Sequence, residues 1–201
     1  MDTIMMTTLI LSAAIILGFV YVAFKMYEKS KPSVESIVLI AILVAIATIG
    51  RLAFIAVPGV QACSFIVIMV GIVYGRNEGF LVGALAALVS DLFTGLGYWS
   101  LFQMIGWGLM GYTAGLITTK LDNTIARAAF GFAWGFLYGW ITDISGIFYI
   151  VPTATSVIAL FAASAFFDLL HAIANAVLLV IFYKWFKKIF LRAKTKFLQT
   201  N

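Results

Sequence analysis

The sequence predicts an all-α membrane protein that crosses the bilayer seven times. Three observations carry that prediction. The 201 residues are 64% hydrophobic and only 10% charged, against roughly 25% charged in a soluble domain. The apolar residues fall into seven runs, most of them close to the ~20 residues a membrane helix needs. The basic residues gather on one side of the resulting topology, as the positive-inside rule requires.

Taken in order, the first run covers Thr3 to Phe24. It carries Asp2 where a signal peptide has a basic region, and it offers no small-residue cleavage site. It is therefore expected to stay as a membrane helix with its N-terminus outside. Lys25, Lys29 and Lys31 follow it, and Pro32 breaks the chain before the next run. Six further runs lie near 35–57, 60–75, 79–96, 100–119, 124–147 and 156–183. Alternating sides places 25–34, 76–78, 120–127 and the C-terminal tail in the cytoplasm. Those segments hold every Lys and Arg except Arg51, and the outer connections hold none. Pro58-Gly59, Gly95-Leu96-Gly97 and Pro152 mark the outer turns. The run 60–75 is short, roughly 24 Å at ~1.5 Å per residue, below the ~30 Å hydrocarbon core. It is expected either to open backbone groups toward a cavity or to sit in a tilted or thinned setting.

Helix packing is written in small residues. Gly131, Gly135 and Gly139 recur four apart, as do Gly111 and Gly115, Gly71 and Gly75, and Ala41 and Ala45. This spacing lets helix backbones approach in a lipid medium that supplies no hydrophobic drive for association.

Several function classes drop out. The net charge of +5 follows membrane topology rather than a nucleic-acid surface. No phosphate loop, HExxH or GxSxG motif is present. Cys63 is the single cysteine and reads as a packing residue. Asp168 and His171 have acid–base chemistry but no nucleophile at a recognisable spacing. No catalytic residue, metal site or covalently bound cofactor is expected.

What remains is polar residues where hydrocarbon should be. Arg51, Gln61, Asp91, Gln103 and Asp143 fall in the outer half of the spans. Asp168, His171 and Asn175 lie at i, i+3 and i+7, one stripe of the last helix. Each is expensive in a membrane and by default faces a cavity or a partner. Arg51 is expected to tie down one or two of the three aspartates, since a buried unpaired charge costs several kcal/mol. Tyr98, Trp99, Trp107, Phe148 and Tyr149 gather near the same level. They suit either interfacial anchoring or the walls of a mostly apolar pocket.

The run RLAFIAVPGVQACSFIVIMVGIVYGRNEGFLVGALAALVSDLFTG, continuing GYWSLFQMIGWGLMGYTAGLI, resembles the S components of energy-coupling factor (ECF) transporters. FGFAWGFLYGWITD and FFDLLHAIANAV resemble the last two helices of that family. The resemblance covers about 35–185. It implies a six-helix bundle, here preceded by one extra N-terminal transmembrane helix. The expected organisation is residues 1–34 as that helix and a cytoplasmic linker, 35–190 as the substrate-binding membrane domain, and 191–201 as a basic cytoplasmic tail. The resemblance also implies a vitamin bound from outside, a membrane coupling (T) subunit and two ATPase subunits. Ala41 and Ala45 match the family's AxxxA element, which docks on the coupling subunit. The pattern is most like the cobalamin-associated branch, so cobalamin is the expected ligand; pantothenate, with Arg51 as its contact, is the alternative. Expected ligand contacts are Arg51, Gln61, Asp91, Tyr98, Trp99, Gln103, Trp107, Asp143, Asp168, His171 and Asn175. Two other classes stand behind this one. A self-sufficient ion-coupled carrier would use Asp91 or Asp168, and an intramembrane enzyme would use Asp168 and His171.

Overall fold

The structure is a computed structural model that describes residues 3–29 and 31–198. Seven α-helices follow one another: α1 (Thr3–Lys29), α2 (Val34–Ala53), α3 (Ala62–Tyr74), α4 (Arg76–Thr94), α5 (Tyr98–Leu116), α6 (Thr124–Gly146) and α7 (Ala154–Leu198). Single 3-10 turns lie at Lys120–Asp122 and Ile147–Tyr149, and no strand occurs among the described residues. Of these helices α2, α4 and α7 are long and apolar enough to cross a membrane, and α3 is a shorter apolar helix. The chain is a multi-pass membrane protein.

Local chemistry sets the helix ends. Ser33 caps α2 by accepting from the Ser36 amide, and Asn123 caps α6 by accepting from Ile125 and Ala126. A single residue, Gly75 at φ 122°, joins α3 to α4. Only glycine adopts that angle without strain.

α3 is the hub. It packs against α2, α4, α5 and α7, and every residue from Cys63 to Tyr74 is buried. Its 13 residues give about 20 Å, so it could not match a bilayer by itself. It does not have to, because protein rather than lipid surrounds it. A helix apolar on all sides suits that position.

The small residues lie in two seams. At the first, α3, α4 and α5 meet around Gly71, Gly79 and Gly111; a Cβ on Gly79 would strike the Gly111 backbone. At the second, Gly131, Gly135 and Gly139 of α6 face Asn175, Ala172 and Asp168 of α7. By contrast, Ala41 and Ala45 are exposed on α2, beside exposed Val38, Ile42, Ile46 and Ile49. α1 touches α4 and α5 from outside, and among its described side chains only Ile16 and Val20 are buried.

The last helix runs past its apolar segment. α7 has 45 residues, about 68 Å, and continues as helix to Leu198 where a separate tail was expected. Its C-terminal part is fastened to the ends of other helices. The Tyr74 hydroxyl donates to the Phe190 carbonyl (2.9 Å), and Lys194 Nζ donates to the Val73 carbonyl (2.7 Å) at the C-terminus of α3. That is the end of a helix where a cation is favoured. Tyr183 and Lys187 both donate to Asp122, and their bonds hold its carboxyl below the usual carboxylate range. Arg127, 2% exposed, donates to the carbonyls of Leu121, Asp122 and Leu179, with its guanidinium 3.6 Å from the Tyr183 ring centre.

Candidate ligand-binding site

Six helices contribute to one polar network inside the bundle. Arg51 on α2 donates to Asp91 Oδ1 (2.7 Å) and Ser90 Oγ (2.5 Å) on α4. Its guanidinium lies 4.9 Å from the Trp107 ring centre on α5. Trp107, fully buried, donates its indole N–H to Ser64 Oγ on α3 (2.9 Å), and Ser64 in turn meets His171 Nε2 on α7 (2.8 Å). Ser64 Oγ can accept from Trp107 and still either donate to or accept from His171 Nε2, so the direction of that second bond follows the tautomer of the imidazole. Tyr138 on α6 completes the group, its ring centre 4.6 Å from that of Trp107 and 5.3 Å from that of His171.

The expected pairing of Arg51 is therefore made with Asp91 alone. Asp143 and Asp168 lie apart from it and share a different partner. Ser164 Oγ donates to Asp143 Oδ2 and lies 3.3 Å from Asp168 Oδ2. No lysine, arginine or histidine forms a salt bridge with either carboxylate among the described residues.

Beside this pair is a cavity of about 160 Å³, lined by Gly59, Gln61, Tyr138, Gly139, Thr142, Phe167, Asp168 and His171. The α2–α3 connection forms one wall. Gly59, at φ 72°, abuts Leu170 and His171 so closely that any Cβ would collide with α7. Gly139 leaves the space that the Asp168 carboxylate occupies. Gln61 Oε1 is buried without a hydrogen-bond partner, a state that native interiors rarely tolerate. A larger groove of about 740 Å³ lies along the C-terminal part of α7, lined by Tyr183, Lys184, Lys187, Lys188, Leu191, Arg192, Thr195 and Lys196. It shares no residue with the polar network.

The structure distributes the expected contacts among four places. Gln61, Asp168 and His171 line the cavity, with Asp143 joined to Asp168 through Ser164. Arg51, Asp91 and Trp107 form the adjoining network. Tyr98 and Trp99 belong to an aromatic cluster at the start of α5, where the Tyr98 ring centre lies 5.7 Å from Trp99, 5.8 Å from Phe148 and 4.7 Å from Tyr149. Asn175 donates to the Gly131 carbonyl (3.3 Å) in the α6–α7 seam. Gln103 Oε1, Tyr98 Oη and Asp91 Oδ2 are also buried without partners. Sequence reasoning missed Ser64, Tyr138, Thr142 and Ser164. Their only signal was a small or aromatic polar group within an apolar run. No cluster of His, Cys, Asp and Glu suited to a metal ion occurs among the described residues.

Comparison with known proteins bears on the same segment. The family model for the ECF-type riboflavin transporter, S component, matches residues 31–188. The thiamine precursor transporter HmpT of Lactococcus lactis subsp. cremoris is 29% identical over 126 residues, 57% of this chain and 76% of that protein. A UPF0397 protein of Aliivibrio fischeri is 32% identical over 103 residues, 49% of this chain and 56% of that protein. Another, from Aliivibrio salmonicida, is 35% identical over 95 residues, 44% and 51% of the two chains. The chain thus spans little more than half the length of the UPF0397 relatives. No solved structure matches. The family match runs from just before α2 into α7 and takes in the whole polar network and its cavity, and the chain belongs to the ECF-type riboflavin transporter S component family.

Proposed function

We propose that this chain captures a compact vitamin or vitamin precursor from the outer side of the cell membrane. It holds that ligand in the cavity between α6, α7 and the α2–α3 connection. The observation that carries this reading is the lining itself. Gln61, Tyr138, Thr142, Asp168 and His171 converge on one small space in an otherwise apolar bundle, the usual composition of a specific ligand site. A membrane coupling subunit and two ATPase subunits complete the transporter, and the chain hydrolyses no ATP itself. The basic residues at one end of the helices support an outer N-terminus and a cytoplasmic C-terminus.

Size guides the choice of substrate. At about 160 Å³, the cavity falls below the ~300–1,000 Å³ of sites for drug-sized ligands. This favours a single ring, in the sense of the thiamine precursor named for HmpT, over the tricyclic riboflavin of the family description. Cobalamin has no support from the family or the relatives, and a corrinoid far exceeds this space. Pantothenate loses its motive because Arg51 is already paired with Asp91. Calorimetry on the purified chain with thiamine, its pyrimidine precursor, riboflavin, pantothenate and cobalamin tests the reading. High-affinity binding of a small ring is expected; a chain that binds none of the five would overturn it.

Docking is assigned to Ala41 and Ala45, which stand exposed on α2 where a partner helix can approach closely. Ala45→Trp is expected to abolish uptake by the assembled transporter while ligand binding to the isolated chain persists. Normal uptake in that variant would remove α2 as the docking face.

A further inference from the structure

The arrangement around Ser164 is short of protons. Its single hydroxyl faces Asp143 Oδ2, Asp168 Oδ2 at 3.3 Å and the Phe161 carbonyl at 3.1 Å. One O–H donates to one acceptor at a time, so three acceptors compete for it. Two ionised carboxylates at such a point repel each other, and one of them is expected to keep a proton. No nearby group relieves this. On α7, His171 is engaged with Ser64 and forms no salt bridge with either carboxylate among the described residues. On α6, Tyr138 is uncharged. The α2–α3 connection presents Gln61, and Arg51 on α2 is committed to Asp91 on α4.

A second observation ties the pair to a ligand. Tyr138 is only 8% exposed and borders the same cavity as Asp168, yet its hydroxyl makes no hydrogen bond among the described residues. Gln61, on the same lining, has its Oε1 acceptor without a partner. The wall therefore offers the Gln61 and Asp168 acceptors, the unpaired Tyr138 hydroxyl as a donor, and the face of an aromatic network. Its complement is a small ring that carries N–H donors and a basic nitrogen.

We propose that the Asp143–Asp168 pair selects a ligand with a basic, N–H-bearing edge, and that Asp168, the member that lines the cavity, passes a carboxyl proton to that edge. The exchange balances as an acid–base step. The proton leaves the carboxyl oxygen and bonds to a ligand nitrogen lone pair, so the pair goes from one negative charge to two while the ligand goes from neutral to singly positive. No other bond changes. The inference rests on the proposed function, since it places the ligand in the same cavity, and it adds the chemical class of that ligand.

The test compares two pyrimidines of equal size on the full chain in detergent. One is 4-amino-5-hydroxymethyl-2-methylpyrimidine; the other is its 4-oxo counterpart, in which a carbonyl acceptor replaces the amino donor and the ring nitrogens are much less basic. Calorimetry is expected to find the amino compound bound at least about tenfold more tightly, since the oxo group sets an acceptor against the acceptors of the site and the weakly basic ring takes up no proton. Asp168→Asn and Asp143→Asn should each reduce that preference to about threefold or less. Equal binding of the two pyrimidines to the wild-type chain, or full preference retained in both folded variants, would overturn the proposal. Should neither variant fold, the wild-type ratio decides alone. Tight riboflavin binding without any preference between the pyrimidines would sink this inference and leave the transport function standing. A wild-type chain that binds neither pyrimidine nor riboflavin, thiamine, pantothenate or cobalamin would remove both.

Discussion

Asp91 and Asp168 are both buried carboxylates on helices of the same bundle, and each sits within reach of the Trp107–Tyr138–His171 core. Their surroundings differ in one respect. Asp91, fully buried, has a dedicated cation in Arg51 and a second donor in Thr94 (3.2 Å). Asp168 has a share of one serine hydroxyl and a cavity beside it. The first arrangement answers its own charge and holds α2 to α4. The second has no cation of its own among the described residues, and under the proposed function a ligand answers it.

The comparison is broken most directly at Asp91. Asp91→Ala strands the Arg51 guanidinium and is expected to cost about 3–5 kcal/mol, read as a large loss in thermal or denaturant unfolding of the purified chain. An unchanged unfolding curve would mean that the ion pair is ornamental. Tyr138→Phe sharpens the other side. It keeps both ring contacts and removes only the hydroxyl of a cavity-lining residue, so under the proposed function ligand affinity should fall by about 0.5–1.5 kcal/mol while melting stays near wild type. Trp99→Ala and Gln103→Ala touch residues that do not line the cavity, and calorimetry should find a smaller loss than in Tyr138→Phe. A larger loss would move the site outward to the aromatic cluster.

The smallest effect is expected at Asp122, a largely exposed carboxylate in the α5–α6 connection. Lys187 and Tyr183 hold its carboxyl below the usual range, so its folded value lies below its unfolded one. Its contribution is therefore present above the unfolded value, ~3.9, and is lost as pH falls through the folded value. Asp122→Asn should change stability by no more than ~1 kcal/mol at neutral pH and flatten that acid limb. Unfolding curves at pH 7 and in the acid range measure both.

Much of this architecture was legible in the residues. Small residues four apart mark the α6–α7 seam because only they admit such close backbones, and Arg51 had to find an acidic partner. Which aspartate it finds depends on how α2 lies on α4, and no spacing within one helix encodes that. The enclosure of α3 was hidden because an all-apolar helix reads alike in lipid and in protein. The extent of α7 was hidden because lysines that look like a solvated tail are good helix formers, and Lys194 fastens them to α3. Ser64, Tyr138 and Ser164 were overlooked because each is unremarkable until three helices bring it to a partner. The branch resemblance that suggested cobalamin carried no information about the volume enclosed.

α7 also has mechanical meaning. No proline or glycine interrupts it from Ala154 to Leu198, so it lacks the usual points at which a helix bends. His171 and Lys194 therefore ride on one stiff rod, about 35 Å apart along its axis. A tilt of a few degrees at the cavity becomes a shift of a few ångströms where α7 grips the end of α3. Occupancy on the outer side is expected to register on the inner side as displacement, with no relay of side chains between. Spin labels at positions 122 and 191, measured with and without ligand, would read the length of that lever.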